Sequence, residues 1–152
     1  MSPRFLSREA AREFYDRFGA RQDSQEFYER PAVSGLIARL DLARARAVVE
    51  LGCGTGRLAA ELLDTHLAAG ARYVGLDVSG TMVELARDRT ARFNRRVEMR
   101  QTDGSPRIDA PDGSFDRFIS SYVLDLLSPD DIASVLGEAH RVLAPGAMNV
   151  PF

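Results

Sequence analysis

The sequence predicts a doubly wound α/β fold on a mostly parallel sheet, preceded by helices. Three observations predict it. A mostly apolar run, Ala45 to Leu51, stops abruptly at a glycine-rich turn. Further short apolar runs then alternate with helical patterns, the arrangement that gives a parallel sheet with helical crossovers. An acid, Asp77, ends the second apolar run, where open sheets of this kind meet their ligands.

The elements follow in order. A first helix spans roughly Ser7 to Phe18, with Phe14, Tyr15 and Phe18 as its apolar side. Pro31 suits the first turn of a second helix carrying Val33, Leu36, Ile37 and Leu40. Strand one is Ala45–Leu51, and an apolar run of this kind is expected of a central strand covered on both faces. Its helix runs from Gly56 to about Leu67, strand two is Arg72–Asp77, and Ser79 caps a helix with Met82, Val83, Leu85 and Ala86. Strand three is about Arg96–Thr102 and strand four about Phe115–Ser121. Ser128 as N-cap, Pro129 at the first helical position and Asp130 and Asp131 in the first turn open a last helix. Pro145-Gly146 is expected to end it.

Composition bounds the function. A chain of 152 residues, 45% hydrophobic and 28% charged, has the make-up of an ordinary soluble domain with a real core. No apolar run reaches a membrane span and no signal peptide is visible, so a cytoplasmic location and no membrane partner are expected. A net charge of −2 gives no basic footprint for nucleic acid. Every basic residue is arginine, which removes lysine Schiff-base chemistry. Cys53 is the single cysteine, so neither an intramolecular disulfide nor a cysteine metal cluster can form, and no metal is expected. Its place between Gly52 and Gly54 reads as a small residue filling a turn, with a reactive thiol as the rival.

The turn reads Glu50-Leu51-Gly52-Cys53-Gly54-Thr55-Gly56-Arg57. The dinucleotide fingerprint G-x-G-x-x-G wants its third glycine at position 57, where this chain has arginine; the glycine falls one residue early. With Glu50 in front, the pattern E-x-G-x-G-x-G resembles the class I S-adenosylmethionine-dependent methyltransferases. The resemblance extends through Asp77, Asp103-Gly104, Phe115–Leu127 and the Arg141-Val142-Leu143-Ala144-Pro145-Gly146 segment, from about Phe14 to Gly146. It implies a Rossmann-like fold and S-adenosyl-L-methionine as cofactor.

Several residues are expected at the cofactor. Glu50, Gly52, Gly54 and Gly56 form the turn. Asp77, 21 residues after Gly56, can accept hydrogen bonds from both hydroxyls of a ribose lying across strand one, for S-adenosylmethionine or NAD alike; Val78 follows it. The resemblance implies that Asp103 accepts from the adenine amine and that the Gly104 N–H donates to the ring. It also turns the end of strand four, Ser120 and Ser121 with Tyr122, toward the methionine end or the substrate. Many relatives carry a histidine near Asp125, so no catalytic base is assigned; Glu138 and His140 read as capping or packing residues. Relatives use helices ahead of strand one as a lid, the expectation for residues 1–44.

The resembled fold has seven strands, and this chain stops after Ala147-Met148-Asn149-Val150-Pro151-Phe152. The expected organisation is a helical segment, 1–44, an S-adenosylmethionine-binding core, 45–146, and an irregular tail, 147–152, with the last strands missing. Asn149 and Pro151 argue against a buried fifth strand, so Phe115–Ser121 should be an exposed edge. A chain cut short in this way should be weakly stable, self-associate through that edge and show little methyl transfer. The functional expectation is methyl transfer to a small-molecule acceptor. The rivals are a non-catalytic cofactor-binding or interaction fragment and an NAD-dependent oxidoreductase, the latter disfavoured by Arg57.

Overall fold

The computed structural model describes residues 7–19, 26–121 and 123–151. Five strands form one parallel sheet: β1 (Ala47–Leu51), β2 (Arg72–Asp77), β3 (Val97–Gln101), β4 (Phe115–Ser120) and β5 (Leu143–Pro151), in the order β3-β2-β1-β4-β5. The helices are α1 (Arg8–Phe18), α2 (Glu26–Arg39), α3 (Arg57–Thr65), α4 (Gly80–Thr90) and α5 (Pro129–Val142). The order reverses at β1, so a crevice opens at the carboxyl ends of β1 and β4, as in other doubly wound sheets.

Each face of the sheet has its own core. On one, Val48, Tyr73 and Ile119 pack with Leu36 of α2, Leu40 just after it, Leu62 of α3 and Val83 and Ala86 of α4. On the other, Val49, Leu76 and Phe118 pack with Val135, Ala139 and Val142 of α5. Alternate residues of β1 therefore serve opposite cores, and the apolar run is needed for both. The caps expected at Ser79 and Ser128 form, and Ser7 caps α1 as well. Ser7 Oγ accepts from the Ala10 N–H at 3.1 Å, Ser79 Oγ from Met82 at 3.1 Å, and Ser128 Oγ from Asp131 at 3.2 Å.

Four expectations are corrected. The second helix begins at Glu26, so Pro31 is its sixth residue and lies inside the helix rather than in its first turn, where its missing N–H removes one intrahelical bond. Phe14 is 51% exposed rather than on the packed side of α1. Pro145-Gly146 does not end the last helix, which stops at Val142 and passes directly into β5. The turn chemistry appears instead as a break of register, because Phe115 pairs with Leu143 but Arg117 with Met148, and Gly146 has φ 78°.

The fourth correction concerns the edge. β4 pairs with β1 on one side and β5 on the other, so residues 147–151 are strand and Phe115–Ser121 is not an exposed edge. Self-association through β4 falls with it. Pro151 is compatible because β5 itself is the sheet edge, where a missing N–H breaks no inner ladder.

Arg117 shows how α2 is fixed to the sheet. Its buried guanidinium donates to the Leu40 and Asp41 carbonyls at the end of α2, at 2.5 and 3.0 Å. The neighbouring Asp116 carboxylate accepts from the Arg46 and Ala47 amides at 2.8 and 3.2 Å. Arg117→Met should lower stability by about 2 kcal/mol, since it removes a charged donor from both carbonyls, of which Asp41's keeps the Arg44 N–H. A urea midpoint unchanged from the parent's would contradict this.

Candidate functional site

The glycine turn leaves β1 in a path that only glycine follows easily. Gly52, Gly54 and Gly56 have φ of 79°, 52° and 77°. The Gly52 and Cys53 amides both donate to the Leu76 carbonyl, at 2.7 and 3.0 Å, which holds the turn against β2. The Val123 side chain, just beyond β4, lies against the Gly52 position. Gly56 is the N-cap of α3 and lies so close to Ala86 of α4 that a Cβ would stand 2.8 Å from the Ala86 Cα.

Asp77 joins the turn to α4. Its Oδ2 accepts from the Gly54 N–H at 2.9 Å and its Oδ1 from the Ser79 N–H at 3.0 Å. Burial pushes its carboxyl up, and these backbone donors partly offset the shift. Each oxygen keeps a second lone pair for a ligand hydroxyl.

Glu50 is buried and accepts the Tyr73 hydroxyl at 2.6 Å. Burial raises its pKa to about 7 against the hydrogen bond from Tyr73, with the Asp77 charge adding to the rise. An acid whose folded-state pKa is raised contributes stability that is full below its ordinary value of 4.5 and lost as pH climbs through about 7. The stability difference between Glu50→Gln and the parent should therefore move in the variant's favour from about pH 5 to about pH 8. Thermal melts at the two pH values test it; a constant difference would contradict the buried-acid account.

At β3, Asp103 is exposed and its Oδ1 accepts from the Ser105 N–H at 2.8 Å, so it makes the turn that its sequence context favours. It also borders a cleft of about 380 Å³ with Leu76, Arg100, Thr102, Ser105 and Arg107. Gly104 has φ 82° and lies under the Arg8 side chain. Val78 is half-buried, and its carbonyl accepts from Gln101 Nε2 at 3.1 Å. At β4, Ser121 is half-buried. Ser120 is buried, and its Oγ is the single buried side-chain oxygen or nitrogen without a hydrogen-bond partner among the described residues.

The fold thus gathers Glu50, Gly52, Gly54, Gly56, Asp77 and Val78 around one turn. Asp103 with Gly104 and Ser120 with Ser121 stand at the same carboxyl end of the sheet, two and one strands away. Tyr122 and the Asp125 side chain lie outside the described residues. Cys53 is buried, and burial pushes its thiol well up, the opposite of a reactive thiolate. Glu138 binds Arg141 at 2.8 Å and accepts the Ile108 N–H at 2.8 Å; it anchors the loop before β4 and is held down to about 2 chiefly by Arg141.

Sequence reasoning missed Asp16. Its Oδ1, on α1, accepts the Ser79 hydroxyl and, at 3.3 Å, the Thr81 N–H. Two carboxylates therefore share the start of α4. No sequence signal pairs residues so far apart.

Comparison with known proteins bears on this arrangement. The methyltransferase domain family matches residues 48–146. The demethylmenaquinone methyltransferase of Tropheryma whipplei (strain Twist) is 35% identical over 103 residues, covering 68% of this chain and 39% of the relative. The tRNA N(3)-methylcytidine methyltransferase Mettl2 of Drosophila melanogaster is 26% identical over 123 residues, covering 79% of this chain and 38% of the relative. The chain thus spans about two fifths of the length of these relatives. Among solved structures, a methyltransferase in complex with the Haloferax volcanii Trm112 methyltransferase activator has TM-score 0.79 and 26% identity, over 93% of this chain and 59% of that one. This corrects the partner expectation. A structural relative assembles with an activator protein, so partners confined to a small-molecule substrate and a second copy of the chain do not stand. No described helix is long and apolar enough to cross a membrane.

Proposed function

This chain belongs to the methyltransferase domain family, and on that premise we propose that its glycine turn and Asp77 hold S-adenosyl-L-methionine for methyl transfer to a small-molecule acceptor. The observation that carries the reading is the Asp77 carboxylate, which bridges the Gly54 and Ser79 amides at the carboxyl ends of β1 and β2 and has lone pairs left for ribose hydroxyls. The unpartnered Ser120 Oγ at the end of β4 supports it, since a buried polar atom without a partner fits a ligand that completes the site. The cofactor supplies a sulfonium methyl open to in-line displacement.

The protein's contribution is binding and orientation. Asp77 would take the ribose, with Val78 beside it. Asp103 and Gly104 would meet the adenine. Glu50, Gly52, Gly54, Gly56, Ser120 and Ser121 would line the methionine end. Residues ahead of β1 would close over the site, as the docking of α1 on Ser79 and Gly104 supports. No residue is assigned as a base, and none is needed unless the acceptor must lose a proton.

The small-molecule reading draws on the quinone-directed relative; the tRNA-directed relative supplies the rival. Release of S-adenosylhomocysteine measured in parallel with pooled small-molecule acceptors and with tRNA separates them. Turnover is expected in the first arm. Turnover in the tRNA arm alone would overturn the acceptor class.

A further inference from the structure

We propose that Arg89 is a positioning residue for the glycine turn, acting through Thr55 and without contact to the ligand. The inference rests on the cofactor reading for its effect on affinity, but its structural half stands apart from it. Thr55 lies between Gly54 and Gly56, and the residue is 5% exposed. Its Oγ1 accepts from the Arg89 guanidinium at 2.9 Å. Arg89 sits three residues after Ala86, so the two share a face of α4. Ala86 closes against Gly56 while Arg89 reaches Thr55. One helix face thus touches two successive residues of the turn.

The other end of the same helix is held by Asp77 through Ser79. Asp77 in turn holds the Gly54 N–H. α4 therefore braces the turn twice, from Asp77 at its start and from Arg89 at its end. A turn of three glycines has more backbone freedom to lose than any other segment of this length. A charged hydrogen bond to its one buried hydroxyl is a direct means of fixing it. Two other arginines near the end of this region have different duties. Arg87 donates to the Met99 carbonyl at 3.0 Å, and Arg92 pairs with Asp64. Neither contact involves the turn.

The test reads amide hydrogen exchange of Gly54 and Gly56 in Arg89→Gln, Thr55→Val and the double variant, beside S-adenosylhomocysteine affinity in each. Each single variant should speed exchange at these amides by about tenfold and weaken binding by about tenfold, and the double variant should add little to either. Arg89→Lys should restore part of both. Arg87→Gln, which cuts the Met99 contact instead, should leave turn exchange at the parent rate. Unchanged exchange in Arg89→Gln, or losses that simply add in the double variant, would overturn the proposal. If the parent binds no S-adenosylhomocysteine, the cofactor reading fails and the exchange data still decide the role of Arg89.

Discussion

Gly56→Ala is expected to be the most damaging single substitution in the turn, lowering stability by about 3 kcal/mol. Two effects act together. The residue has φ 77°, where a Cβ meets its own backbone. That Cβ would also stand 2.8 Å from the Ala86 Cα and 2.9 Å from its Cβ. The obstacle is backbone in the middle of α4 rather than the end of a flexible side chain, so relief requires the helix to move. Denaturant unfolding measures the loss. A second substitution separates the two effects: Ala86→Gly in the Gly56→Ala background should recover part of the stability by removing one obstructing Cβ, although it costs α4 about 1 kcal/mol of helix propensity. A Gly56→Ala variant as stable as the parent would mean that α3 and α4 are not packed through this glycine.

Asp77→Ala is expected to weaken S-adenosylhomocysteine binding by about 2 kcal/mol, the value of hydrogen bonds to a charged group. The side chain also satisfies the Gly54 and Ser79 amides, so part of the loss comes from a looser turn. Asp77→Asn distinguishes the two contributions. Its carbonyl can keep one amide while the charge is gone, so it should bind better than Asp77→Ala and worse than the parent. Equal affinity in all three, with folding shown by circular dichroism, would remove Asp77 from the site.

Much of this arrangement was legible in the residues. β2 was readable to its ends because Arg72 and Asp77 bound an apolar run whose Tyr73 and Leu76 fill opposite cores. Ser79 and Ser128 announced helix starts because capping is local and written in adjacent residues. The glycine turn was legible because positive φ at three alternate positions leaves few other residues possible.

The misreadings came where local chemistry and tertiary context disagreed. Pro145-Gly146 and Pro151 are breakers on local grounds. They are accommodated here by a register break and by the edge position of β5, neither of which is visible before strand order is known. Asp16 and Arg89 escaped for a related reason. Each reaches the site across a helix–helix or helix–turn packing contact, from 63 and 34 residues away in the chain, and exposed-looking acids and arginines are common on any helix. Ser120 belongs to the site by its position at the end of β4, but its unpartnered hydroxyl shows only once both neighbouring strands are in place.

The most direct test of the central claim is a calorimetric titration of the folded chain with S-adenosyl-L-methionine, S-adenosylhomocysteine and NAD. The geometry of the turn and Asp77 predicts saturable one-to-one binding of the first two, with NAD weaker or undetectable because Arg57 occupies the position where the dinucleotide fingerprint needs glycine. Preferential binding of NAD, or no binding of any of the three by a chain shown to be folded, would contradict it.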